Sequence, residues 1–79
     1  MWHVYILKCS DSSFYTGITN DLDARIIRHN KRRASAYTRS RTPVKLVYKE
    51  AHRTKSKALK REIEIKDLTR KSKLALINQ

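Results

Sequence analysis

Five side chains have types and spacings that could act together on a bond. Tyr5 and Tyr15 stand ten residues apart, Arg25 and His29 four apart, and Glu62 follows far downstream. Phenols and an imidazole move protons, a guanidinium forks onto a phosphate, and a carboxylate holds a divalent cation. Each residue also has a plain structural reading. Tyrosines in strands usually pack, Asp21 lies four before Arg25 as in an ordinary helical ion pair, and a histidine near a helix C-terminus is favoured by the dipole.

Glu62 is the sharpest departure from local rules. On a helical wheel of about 100° per residue with Ala58 at zero, Ile65, Leu68, Leu59 and Ile63 form an apolar arc, and Glu62 falls inside it at about 40°. Lys66 lies beside it at about 80°, whereas Glu64, at about 240°, faces solvent. A carboxylate inside an apolar arc is costly unless paired or bound to a cation. Two readings stay open: an i,i+4 pair of Glu62 with Lys66 at the rim of the core, or a carboxylate facing a cleft and free for a divalent metal.

These residues need elements to position them. Trp2 to Leu7 is rich in β-formers and reads as a strand. Ser10-Asp11-Ser12-Ser13 is a turn cluster, and Phe14 to Thr19 reads as the second arm of a hairpin. That arm carries the only glycine, Gly17, and a strand glycine permits a close backbone approach. Asn20 is the expected cap of a helix fading by Asn30, with Asp21 and Asp23 in its first turn. Val44 to Lys49 reads as a third strand. Thr54 is placed to cap a helix from about Lys55 to Leu68, and Thr69 to recap a short terminal one. The expected order is β-β-α-β-α-α, an α+β fold with a small sheet.

Between the first helix and the third strand lies a basic loop, Lys31 to Thr42, closed by Pro43. Lys31, Arg32, Arg33, Arg39, Arg41 and the flanking Arg28 suit non-specific contacts to phosphates. Its aromatic residue, Tyr37, either stacks on an exposed base or packs. The chain's charge agrees: 79 residues carry 19 Lys plus Arg against 7 Asp plus Glu, a net of +12. Such a field attracts polyanions, nucleic acid first and an anionic membrane surface second. It also disfavours self-association, so a monomer is expected. The length is that of one small domain, taken as residues 1–79, burying roughly 60–65% of its unfolded surface. One cysteine, Cys9, excludes a disulfide framework and a multi-cysteine zinc site. No signal peptide or membrane span fits, which makes the cytoplasm the expected compartment. His3, His52 and Cys9 have no ligand-like spacing.

Taken in order, His3-Val4-Tyr5, Tyr15-Thr16-Gly17, Asn20-Asp21-Leu22, Arg25, His29, Ala58, Arg61-Glu62, Ile65-Lys66 and Leu76-Ile77 make the chain resemble the GIY-YIG nuclease domain. The likeness runs from Trp2 to Ile77 and favours the small stand-alone branch. His3 stands where the first triplet's name calls for Gly, and Thr16 replaces Ile in the second.

The resemblance implies a three-stranded antiparallel sheet flanked by helices, and an endonuclease acting on DNA with one Mg²⁺ or Mn²⁺ ion. It implies that Tyr5 activates or positions the attacking water and that Tyr15 helps hold that water or the phosphate. Gly17 would let backbone lie close to the substrate, Arg25 would contact the scissile phosphate, and Glu62 would ligate the metal. His29 would stand near the first tyrosine, and Lys66 would join the cations along the nucleic acid. Tyr5 ordinarily titrates near pH 10, so as a base it needs nearby cations to favour its phenolate, or a neutral His29 to take or relay the proton. Two other expectations compete: a nucleic-acid-binding module that kept the fold with little catalysis, and an RNA-binding basic protein.

Overall fold

The computed structural model describes residues 1–79. Its strands are β1 (Trp2–Lys8), β2 (Phe14–Thr19) and β3 (Lys45–His52), and its helices α1 (Leu22–Asn30), α2 (Ala36–Arg39), α3 (Lys55–Lys66) and α4 (Arg70–Ile77). The sheet order is β2-β1-β3, antiparallel throughout. Because β1 is central and covered on both faces, Val4, Tyr5, Ile6 and Leu7 are all buried. Their unbroken apolar run, without polar alternation, follows from that double cover.

Alternation along β1 assigns the faces. Val4 and Ile6 pack with Ala58 and Ile65 of α3, and with Leu76 and Ile77 of α4. Tyr5 and Leu7 point the other way, toward Leu22 and Ile26 of α1, with Cys9, Val44, Tyr15 and Leu46. In β1–β2 pairing Tyr5 opposes Gly17 and Leu7 opposes Tyr15. The hairpin register therefore gathers both tyrosines and the glycine on the α1 face. A register shift between Ile6 and Leu7 in the β1–β3 ladder leaves an extra residue on β3, a bulge of the kind that bends an edge strand.

Several expectations need correction. Asp21, not Asn20, caps α1: its backbone is extended and its carboxylate accepts from the Ala24 N–H. The basic segment is not all loop, for Ser35 caps a one-turn helix, α2. The strand β3 runs on to His52, because it pairs with β1 as far as Trp2. On α3, Leu59 and Ile63 are exposed, while Ala58 and Ile65 are fully buried. The helix meets the sheet along a narrow strip. Ala58 allows the approach, and the strip turns toward Arg61 rather than toward Leu59.

Arg61 makes that turn for an electrostatic reason. Its Nε donates to both carboxylate oxygens of Glu50 at 3.1 Å. Glu50 also accepts from the Tyr48 hydroxyl and bonds His52 Nε2, both at 2.6 Å. Those donors and the Arg61 charge hold the Glu50 carboxyl below its ordinary value against the opposing effect of burial. The cluster bolts α3 to β3 on the face opposite the tyrosines, and it gives His52 a structural role.

The end of α1 matters for the site. Arg33 N–H bonds Arg28 C=O, and Arg32 N–H bonds His29 C=O. This is a Schellman closure with Arg32 at φ 63° in the left-handed position usually given to glycine. Asn30 then clasps the backbone of Val44, accepting from its N–H at 2.8 Å and donating to its C=O at 3.3 Å. The exit of α1 and the entry of β3 are thereby held together, with the α2 segment folded back between them.

A candidate nuclease site on the α1 face of the sheet

At the centre of the site the Tyr5 hydroxyl lies 2.9 Å from His29 Nε2. Strand β1 presents Tyr5 toward α1, and the last turn of α1 presents His29 back toward the sheet. Both side chains are buried. The other imidazole nitrogen, Nδ1, lies 2.8 Å from Thr38 Oγ1 of α2. Tyr15 packs edge-on to His29 with ring centroids 5.1 Å apart, and it stacks on Tyr37 at 6.0 Å.

Gly17 is required by this packing. A Cβ at that position would lie 2.6 Å from Tyr5 Oη, 2.7 Å from Tyr5 Cζ and 3.1 Å from Tyr15 Cε2. No side chain fits unless the Tyr5 ring moves. The glycine serves close approach of the phenol to the neighbouring strand.

The electrostatics correct one expectation. The Arg25 cation favours a Tyr5 phenolate but does not outweigh burial. Burial holds the phenol above its ordinary value first, and Tyr15 adds to the shift; Arg25 pulls it down and Glu62 pushes it up, leaving a net rise. His29 moves the other way, lowered to about 4 by burial and then by the positive charges of Arg25 and Arg28. At neutral pH the pair is a neutral phenol against a neutral imidazole.

Arg25 and Glu62 thus both act on Tyr5 through space, from α1 and α3 respectively. The Asp21–Arg25 ion pair does not form. Asp21 is occupied with the helix cap, and the half-buried Arg25 is in no salt bridge. Glu62 is largely covered, its side chain 16% exposed, and it does pair with Lys66, Nζ to Oε2 at 3.5 Å. A divalent ion fits this donor set. Glu62 offers a hard oxygen, and although no group of three His, Cys, Asp or Glu converges here, Mg²⁺ keeps several waters and takes phosphate oxygens as ligands. Lys66 is more than half exposed and can swing out to yield the carboxylate.

The basic residues divide into two groups. Arg28, Arg32, Arg33 and Arg39 are exposed and in no salt bridge. Arg41, expected among the phosphate contacts, is engaged instead: its Nε donates to Asp11 at 2.9 Å, its Nη1 to Tyr37 C=O at 2.8 Å, and its guanidinium covers the Tyr37 ring at 4.1 Å. Tyr37, 38% exposed, is thereby sandwiched into the aromatic group and does not stand free. Two further cations cover the core, Lys55 over Trp2 and Arg70 over Phe14. Sequence reasoning missed Thr38 and Asp11, because nothing in their spacing marks contacts that only the folding-back of α2 creates.

A small three-stranded sheet with paired tyrosines, a facing glycine, an arginine on the following helix and a later glutamate is the core of a GIY-YIG nuclease domain. The chain belongs to that family: the model of the GIY-YIG catalytic domain matches residues 1–75. It is similar to the UPF0213 protein of Staphylococcus epidermidis, 54% identical over 76 residues that cover 96% of this chain and 93% of that protein. The UPF0213 protein of Staphylococcus aureus is 55% identical over the same coverage. Among solved structures, the solution NMR structure of the UPF0213 protein from Bacillus halodurans matches with a TM-score of 0.64 and 43% identity, covering 99% of this chain and 84% of that one. Nucleases of the family generally use a divalent metal. No helix is long and apolar enough to cross a membrane.

Proposed function

We propose that the protein is a metal-dependent endonuclease that hydrolyses phosphodiester bonds in DNA. The observation that carries this reading is the Tyr5–His29 hydrogen bond beside an arginine free of any carboxylate. Water attacks phosphorus, giving a proton to Tyr5 Oη as the Tyr5 proton passes to His29 Nε2. The phosphorus–oxygen ester bond opposite the attack breaks, and its alkoxide leaves with a proton from solvent. Arg25 donates to the non-bridging oxygens and spreads the added charge. A divalent ion held by Glu62 would supply neutralisation of the charge on the leaving oxygen.

The depressed basicity of His29 has a use in this scheme. Part of it comes from the positive charge of Arg25. A phosphate on Arg25 cancels that charge, so His29 becomes a better proton acceptor once substrate is in place. Tyr5 never needs to exist as a free phenolate.

The test is nicking of supercoiled DNA with Mn²⁺ or Mg²⁺ and with EDTA. Tyr5→Phe and Arg25→Ala should each lower the rate by about 10²-fold or more with the fold intact, and Glu62→Ala should abolish metal-dependent turnover. Cleavage by Glu62→Ala at the parent's rate would refute the assignment. One observation favours a second reading, a nucleic-acid-binding module without turnover: the Lys66 ammonium already neutralises Glu62. That reading requires salt-sensitive DNA or RNA binding with no nicking under any metal.

A further inference from the structure

Helix α2 lies in a segment whose composition suggests only a basic phosphate-binding loop. It nonetheless delivers one fully buried polar side chain, Thr38. Its hydroxyl lies 2.8 Å from His29 Nδ1 and 3.4 Å from the Ser35 carbonyl. We infer that Thr38 is a positioning residue that fixes His29 in the Nδ1–H tautomer, so that Nε2 presents its lone pair to Tyr5.

Matching donors to acceptors fixes the direction of these bonds. The groups form a single chain: Tyr5 Oη, His29 Nε2, His29 Nδ1, Thr38 Oγ1, Ser35 C=O. The last member is a carbonyl and can only accept. Thr38 O–H therefore donates to it, Nδ1–H donates to Thr38 Oγ1, and Tyr5 O–H donates to Nε2. Every donor has an acceptor. In the reverse direction Thr38 O–H points at Nδ1, Nε2–H points at Tyr5, and the buried Tyr5 O–H is left with no acceptor in the protein. An unmet buried donor is costly, so the forward direction prevails. The second nitrogen of a histidine sets what the first can do, and the wrong tautomer disables an acceptor without disturbing the fold.

This inference deepens the proposed proton path from Tyr5 to His29 and rests on that reading for its catalytic meaning. The assignment of the tautomer stands apart from it. Thr38→Val is nearly isosteric and removes the hydroxyl; Thr38→Ser keeps it. Nitrogen-15 spectra of the imidazole report which nitrogen carries the proton. The parent and Thr38→Ser should show Nδ1 protonated and Nε2 bare at pH 7. Thr38→Val should shift toward Nε2–H, since Nδ1–H would have no acceptor. DNA nicking by Thr38→Val should drop about 10²-fold in kcat with KM little changed, and Thr38→Ser should restore it.

A parent with Nε2–H, or a Thr38→Val variant that keeps both Nδ1–H and full activity, would overturn the inference. Should no variant or metal yield nicking, the proposed function fails, and the spectra alone still decide the tautomer. If Thr38→Val does not fold, the parent spectrum and Thr38→Ser carry the decision.

Discussion

Lowering the pH from 7 to 5 tests the buried imidazole of His29. His29 is lowered from 6.5 to about 4 in the folded protein. The unfolded chain therefore binds more protons than the native state between those values, and stability falls as pH drops through 6.5, the loss becoming complete near 4. At pH 5 the unfolded histidine is almost wholly protonated and the folded one about a tenth, a partition ratio of roughly 30, or about 2 kcal/mol. The carboxylates Glu50 and Asp11 act in a lower window. Their lowered values give stability that persists above the ordinary carboxylate range and is lost only below it. For a 79-residue domain with roughly 4–12 kcal/mol in total, about 2 kcal/mol is a large share. Urea denaturation of the parent and of His29→Gln at both pH values measures it. Between pH 7 and 5 the parent should lose about 2 kcal/mol more than the variant. An equal loss in both proteins, or a His29 resonance titrating near its ordinary value, would refute the burial argument and with it the neutral relay.

Three further outcomes follow from particular contacts. Gly17→Ala forces a Cβ to within 2.6 Å of Tyr5 Oη, so urea denaturation should show a loss of about 1–3 kcal/mol, and the Tyr5 hydroxyl proton should lose its bond to His29 by NMR. Arg32→Gly relieves a left-handed backbone at φ 63° and should raise stability by about 0.5–1 kcal/mol; filter binding of DNA at low salt should weaken with the lost charge. Lys66→Ala removes the ammonium 3.5 Å from Glu62, so Mn²⁺ binding followed by paramagnetic resonance should tighten by about 5-fold. Unchanged affinity there would mean that Glu62 is not the metal's ligand.

Local chemistry was legible from the sequence alone. The β-rich run at Trp2–Leu7, the only glycine in the second strand, the carboxylate at the start of α1 and the threonines before α3 and α4 each act within a few residues of themselves. The order β-β-α-β-α-α follows from them, and so does a polyanion-seeking charge. Glu62 was also detectable, because an acid in an apolar arc breaks a periodic rule. The wheel could not say which edge of the arc would be buried. That depended on Glu50 of β3 drawing Arg61 inward, and it left Leu59 and Ile63 in solvent. Nor could spacing separate the free arginines from Arg41, whose partner Asp11 lies thirty residues away. The protonation states were likewise decided by the tertiary structure. A phenol and an imidazole carry ordinary values until β1, α1 and α2 close around them and bury both rings.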